Sequence, residues 1–417
     1  MLTISQNKKN LLKEGQPFFY LADTCWSAFT NITDDEWDYY LYKRRAQVFN
    51  TLQINILPQW DASNTDLDYH PFVNGDPYKL NEDYFDHAYK MCVKAKQEGF
   101  ELALVVLWCN YVPGTWASRL FSGDILPYDM LEGYVKKVHE TFTSLNPIYV
   151  ISGDTDFPTD ETIQYYTHVA DLLRPLAHEC LMTTHIKGRY SEIPEGLYKH
   201  LDFLMYQSGH NAKDFSMPYS LSETMQEKYP GKPLINSEPC YEGMGYSGGL
   251  YGRWTRRDVR RAAYVSVLSG ASAGITYGAA GIYSWHKVGK GFNAKLGEGF
   301  DMPKSFEEAL GYKGAWDYGY LKKILEELHI TDITPCNAIL LNKTTEIRIA
   351  KTNHDSILIY VPHNTTIKLN GDYSAYRAEV IDLAERFVSN VNVTTKDNMT
   401  KIAMHPFDED ALIILRK

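Results

Sequence analysis

The stretch AKQEGFELALVVLW, residues 95–108, decides how this chain folds. Upstream of it, Phe85, Ala88, Cys92 and Ala95 share one face of a helix expected near 82–98. Gly99 then stands where a helix favours a left-handed terminal residue. Downstream, ELALVVLW (101–108) is apolar almost without interruption. A strand apolar on both sides belongs to a sheet covered on both faces, which is the habit of parallel sheets. Helix, glycine and buried strand make one step of a repeating α/β chain.

The step recurs along the sequence. Strands are expected at 18–23, 52–57, 101–108, 147–154, 180–186, 201–208, 233–238 and 273–278. Helices are expected at 33–47, 82–98, 128–145 and 160–177, with one more after each of the last two strands. The Thr33–Glu36 and Thr255–Asp258 pairs read as capping boxes, and Ser305 to Glu308 opens a last helix reaching about residue 328. Eight such units predict an α/β fold, a closed (β/α)8 TIM barrel. The alternative, an open doubly wound sheet, carries a glycine-rich turn after its first strand, and LADTCW (21–26) has no glycine. Beyond about residue 335 the texture changes. NAILL, EIRIAK, SILIYV, TIKLN, YRAEVID and ALIILR are short strand-like runs separated by turns such as TNHD and NGD. The expected organisation is a barrel over residues 1–332 and a small C-terminal antiparallel β-sandwich over 333–417, with no flexible linker between them.

Charge and composition narrow the partners. With 42 basic and 52 acidic residues the net charge is −10, which opposes binding to nucleic acid. No apolar run approaches the roughly 18 residues that span a bilayer. The opening MLTISQNKKNLLKEG lacks the apolar core of a signal peptide, so a cytoplasmic setting is expected. Six scattered cysteines without a CxxC pair agree with reduced thiols there. The chain also holds 31 Tyr and 8 Trp, an aromatic supply that suits stacking on sugar rings. A carbohydrate is the expected partner, and self-association is left open.

Barrel chemistry lies at the carboxyl ends of the strands. In strand order those ends offer Asp23 and Trp26, Trp60 and Asp61, Trp108 and Asn110, Asp154, His185, Tyr206 and Gln207, Glu238, and Tyr277. Cleaving a glycosidic bond requires two carboxyl groups, an acid for the leaving oxygen and a nucleophile or base for the anomeric carbon. Asp154 and Glu238 are the expected catalytic pair, with the other rim residues binding substrate. Gly153 permits close backbone approach beside Asp154, and Pro239 stiffens the exit behind Glu238. Asn236 is expected to face the same way as Glu238 and to support its charge. Asp156 and Glu242 are the rival carboxylates.

PFFYLADTCW (17–26), FNTLQINIL (49–57), NGDPY (74–78), YVISGDTDF (149–157) and PLINSEPCYEG (233–243) resemble the apiosidase-like glycoside hydrolases, glycoside hydrolase family 140. The resemblance runs over about residues 10 to 330. It implies a (β/α)8 catalytic domain backed by a β-sandwich, and hydrolysis of bonds to apiose in plant-derived glycans. It also implies Asp154 as acid/base and Glu238 as nucleophile, without a cofactor. Ser152 and Thr155 stand where the family carries a glycine and an arginine, departures that bear on the sugar more than on the reaction. Two other classes stay open on the residues alone. One is a metal-dependent barrel hydrolase, with Cys25, Cys109, Cys240, His185 and His210 near strand ends. The other is a non-catalytic carbohydrate-binding barrel.

Overall fold

A computed structural model describes residues 1–292 and 302–417. Eight parallel strands form one sheet: Tyr20–Thr24, Thr51–Asn55, Glu101–Trp108, Ile148–Gly153, Met182–Thr183, Leu204–Tyr206, Leu234–Asn236 and Gly274–Tyr277. The ladder is continuous from the fifth strand back through the first to the eighth, seventh and sixth. Its seam, between the fifth and sixth strands, is bridged by Asp202 N–H to Met182 O (2.8 Å) and by the Thr183 hydroxyl to Phe203 O (2.9 Å). Every residue of these strands is buried, as the apolar runs required.

Helices cover the barrel. Asp34–Ala46 starts from the Thr33–Glu36 capping box, and Arg256–Leu268 from the Thr255–Asp258 box. Glu82–Gln97 ends at Gly99, whose φ of 92° is left-handed. Leu131–Phe142 and Asp160–Leu176 cover the third and fourth strands. Two helices, Glu195–Tyr198 and Met217–Lys228, fall where the sequence reading assigned none. The helix expected from Ser305 to about 328 is two, Phe306–Ala309 and Gly314–Glu327, because Gly314 N–H is drawn to the Glu242 carboxylate at 2.9 Å. Residues Leu2–Ile4, Leu11–Lys13 and Gln16–Phe18 form an unanticipated antiparallel sheet before the first strand, with Leu2 and Leu11 buried in the barrel's core.

The C-terminal part holds two antiparallel sheets. Six strands run in the order Ile333–Pro335, Arg348–Thr352, Ile357–Val361, Ala411–Arg416, Arg377–Asp382, Val388–Val391. The smaller sheet joins Ile367–Asn370, Met399–Ile402 and Val393–Lys396. NAILL does not become a strand; Asn337–Ile339 is a single 3-10 turn. Alternation along the central strands explains their position. Ile357, Ile359, Val361, Ile413 and Leu415 fill the core between the two sheets, while Leu358, Tyr360, Leu412 and Ile414 join the core of the barrel. One sheet thus packs on both faces.

Candidate active site

The fourth strand ends at Gly153, and Asp154 follows it with φ +48°, a left-handed backbone that costs a non-glycine residue about 1–2 kcal/mol. Two contacts hold it there. Asp154 N–H donates to His185 Nδ1 at 2.9 Å, and the Trp116 indole N–H donates to Asp154 O at 2.7 Å. Gly153 cannot be larger, since a Cβ would fall 1.9 Å from the Trp108 ring. The close approach foreseen at this glycine is therefore that of an indole.

Glu238 lies beyond the seventh strand and is buried. Its Oε1 meets His210 Nε2 at 2.8 Å and its Oε2 meets His185 Nε2 at 3.1 Å. The same imidazole therefore touches the backbone of Asp154 with one nitrogen and the carboxylate of Glu238 with the other. The ring thus links the Asp154 backbone to Glu238, and the Asp154 carboxyl lies near enough to Glu238 to be influenced by its charge.

Their electrostatics diverge. Burial and the charges of Glu238, Asp61 and Asp156 push the Asp154 carboxyl well above its ordinary range, against a smaller opposing pull from Lys187. Burial alone would raise Glu238 as well. The hydrogen bonds and charge of His185 and His210 overcome it and hold Glu238 at about 2. The surroundings thus favour the protonated form of Asp154 and the ionised form of Glu238. A third carboxyl, Asp61, is pushed up to about 7 by burial and by the charge of Glu238.

Aromatic rings shape the surroundings. Trp26 and Trp108 meet at 5.0 Å between centroids, and the Trp26 indole N–H donates to the Tyr241 hydroxyl at 3.0 Å. Trp60 stacks on Phe121 (5.2 Å, 18°) and meets Trp116 edge-on. Buried Trp108 Nε1, Gln207 Oε1 and Asp156 Oδ1 lack a hydrogen-bond partner among the described residues. Buried polar atoms are nearly always satisfied, so this concentration at one mouth suits atoms that await a polar ligand.

Several expected substrate contacts lie elsewhere. Asp23 is fully buried, bound at 2.7 Å to both Arg44 Nε and the Tyr40 hydroxyl of the first long helix. Tyr206 donates to Pro218 O (2.6 Å) and Tyr277 to Glu242 (2.6 Å). Asn236 binds Ser208 Oγ and Ser266 Oγ, both at 3.0 Å, and contributes nothing to Glu238. All four point outward, towards helices, because side chains alternate along a strand and a strand end can present either face. Asn110 is buried and donates to Asp124 Oδ2 at 2.9 Å. His185 is buried, accepts from the Asp154 backbone and lies 3.1 Å from Glu238. The rivals are occupied: Glu242 by Tyr277 and Gly314, Asp156 by Lys187 at 2.6 Å. The sequence reading missed Trp116 and Tyr241 and weighed His210 only for the alternative of a metal-dependent barrel. A histidine two residues beyond the sixth strand's Ser208 was the available cue. Cys25, Cys109 and Cys240 are buried, and burial pushes each thiol up. Among the described residues no group of three or more His, Cys, Asp or Glu is arranged to hold a metal ion. No helix among them is long and apolar enough to cross a membrane.

Comparison with known proteins adds three findings. A family described as apiosidase-like, catalytic domain, matches residues 5–332. A solved structure named glycoside hydrolase superposes with a TM-score of 0.81 at 22% identity, over 99% of this chain and 96% of that one. A family 5 glycoside hydrolase from Bacteroides vulgatus gives 0.83 at 23% identity, over 99% and 92%. At such identities the likeness concerns the fold alone. No curated protein matches the chain.

Proposed function

The chain belongs to the apiosidase-like family and is a glycoside hydrolase, and on that premise we propose that Asp154 and Glu238 cleave a plant-derived glycoside with retention of anomeric configuration. Asp154 is the acid/base and Glu238 the nucleophile. The observation that supports this reading is the opposed proton affinity of two neighbouring buried carboxyls, Asp154 raised partly by the charge of Glu238 and Glu238 held at about 2.

In the first step Glu238 attacks the anomeric carbon while Asp154 gives its proton to the departing oxygen. The proton is available because burial and neighbouring charge disfavour the ionised form of Asp154. In the second step Asp154, now ionised, takes a proton from water as the water displaces Glu238. The acidity of Glu238 favours retention over inversion. A carboxylate at about 2 is a feeble general base near neutrality, yet it is a good leaving group once esterified to the sugar. Trp26, Trp60, Trp108, Asp61 and Gln207 bind the sugar, the indoles through its C–H faces and the polar groups through its hydroxyls.

Apiose is the sugar we propose, and residues 1–332 carry the chemistry while 333–417 support the barrel. A cytoplasmic enzyme with six unpaired cysteines would act on small imported glycosides. The test is hydrolysis of a panel of aryl pentosides and apiosides, with the first-formed anomer read by NMR. Glu238→Gln should abolish turnover with the fold intact, and full activity in that variant ends the assignment. An inverted first product would instead make Glu238 a base.

A further inference from the structure

We infer that Trp116 is a positioning residue for the acid, its indole fixing the backbone from which the Asp154 carboxyl projects. The inference deepens the proposed mechanism and rests on its assignment of Asp154 as the proton donor. Its ground is the pair of peptide groups on either side of the Asp154 Cα. The one before it donates its N–H to His185 Nδ1 at 2.9 Å, which restrains rotation about N–Cα. The one after it offers its carbonyl to the Trp116 indole N–H at 2.7 Å, which restrains rotation about Cα–C. Those two rotations are the soft freedom of a residue's backbone. With φ at +48°, Asp154 stands in a region that a non-glycine residue keeps only where its surroundings hold it. Rotamers depend in turn on φ and ψ, so whatever holds this backbone decides where the carboxyl points.

The loop that carries Trp116 follows the third strand and is itself held in place. Gly114, at φ +79°, approaches the start of the helix Asp160–Leu176 so closely that a Cβ would fall 2.8 Å from the hydroxyls of Thr159 and Thr162. Thr162 donates to Pro113 O at 2.7 Å. Thr115 Oγ1 accepts from Ser118 N–H at 3.1 Å and donates to Val112 O at 3.2 Å. The half-buried indole meets Trp60 edge-on at 5.5 Å. The loop is thus tied to the helix that follows Asp154 in the chain and, through its indole, to Asp154 itself.

An indole that satisfies a carbonyl is also ordinary packing, and buried carbonyls are nearly always satisfied. The two roles part over the leaving group. Were the bond packing alone, its loss would slow every substrate alike or lower stability only. A bond that aims the acid matters in proportion to how much the leaving oxygen needs a proton.

Trp116→Phe keeps an aromatic ring beside Trp60 and removes the donor. Rates are to be measured on 4-nitrophenyl apiofuranoside, whose leaving group needs little acid help, and on methyl apiofuranoside, which needs it fully. A misplaced acid should lower kcat/KM on the methyl glycoside by about 10²-fold, and by no more than about tenfold on the aryl one. Asp154→Asn, measured alongside, should show the same split. If Asp154→Asn loses equally on both substrates, Asp154 is not the acid and the inference falls with that assignment. If Asp154→Asn shows the split and Trp116→Phe does not, the positioning role is overturned while the two-carboxyl mechanism stands. Should Trp116→Phe fail to fold, Gly114→Ala puts the same question by shifting the loop, and equal losses on both substrates count against the inference in the same way. A crystal structure of whichever variant folds decides the matter even if neither apioside is turned over. The Asp154 carboxyl should be displaced by more than about 0.5 Å from its wild-type place, and an undisplaced carboxyl refutes the inference.

Discussion

At the scale of single residues, the proposed site is defined by the opposed proton affinities of its carboxyls. Asp61 contributes to the raised affinity of Asp154 for its proton, and with its own value at about 7 it gains charge as the pH passes through neutrality. Asp61→Asn removes that repulsion, so Asp154 should release its proton at lower pH. The alkaline limb of the pH–rate profile should therefore move towards acid, and an unmoved limb would show that Asp61 is remote from the reaction. The acidic limb should be nearly flat above pH 4, since Glu238 ionises at about 2. Gly153 is the second sensitive position. Gly153→Ala would drive a methyl group into Trp108, which lies over the His185 ring. A displacement of that order near the reacting groups costs about 10²-fold in rate. We expect kcat/KM to fall by about that factor while the far-ultraviolet circular dichroism is unchanged.

At the scale of elements, helix starts and strand faces explain most of what was legible in advance. The Thr33–Glu36 box closes in both directions, with Thr33 Oγ1 accepting from Glu36 N–H and Glu36 Oε2 accepting from Thr33 N–H. Glu36 also receives the Trp285 indole N–H at 3.1 Å and Lys287 at 2.7 Å, which ties this helix to the loop after the eighth strand. Thr33→Ala should cost about 1 kcal/mol by urea unfolding with turnover retained. The same readability failed at strand ends. Asp23, Tyr206, Asn236 and Tyr277 have the right chemistry on the wrong face, a distinction made by strand parity and by the residue at which each strand stops.

At the scale of the whole molecule, a buried ionic cluster locks the barrel to the C-terminal sheet. Arg260, on the helix after the seventh strand, meets Asp317 (3.0 Å), Glu409 (2.7 Å) and both carboxylate oxygens of Asp410. Tyr360 donates to Asp410 at 2.9 Å, and Arg256 grips Asp317 bidentately at 2.7 and 2.8 Å. Removing one partner of a buried ion pair strands the others, at a cost of about 3–5 kcal/mol. Arg260→Ala should lower the unfolding midpoint markedly, and a surface-like loss below about 1 kcal/mol would mean that the two parts are held by apolar packing alone.

What the sequence determined by itself was whatever local chemistry dictates. Apolar runs with glycine exits led to eight parallel strands, capping boxes to helix starts, and strand ends to the carboxylates Asp154 and Glu238 of the proposed pair. Only the tertiary structure decided which neighbours those carboxylates have. His185, His210 and Trp116 reach the site from three different loops, and no spacing along the chain encodes a meeting across a barrel. A side chain acquires its proton affinity from the burial and charges around it, and those exist only once the barrel has closed.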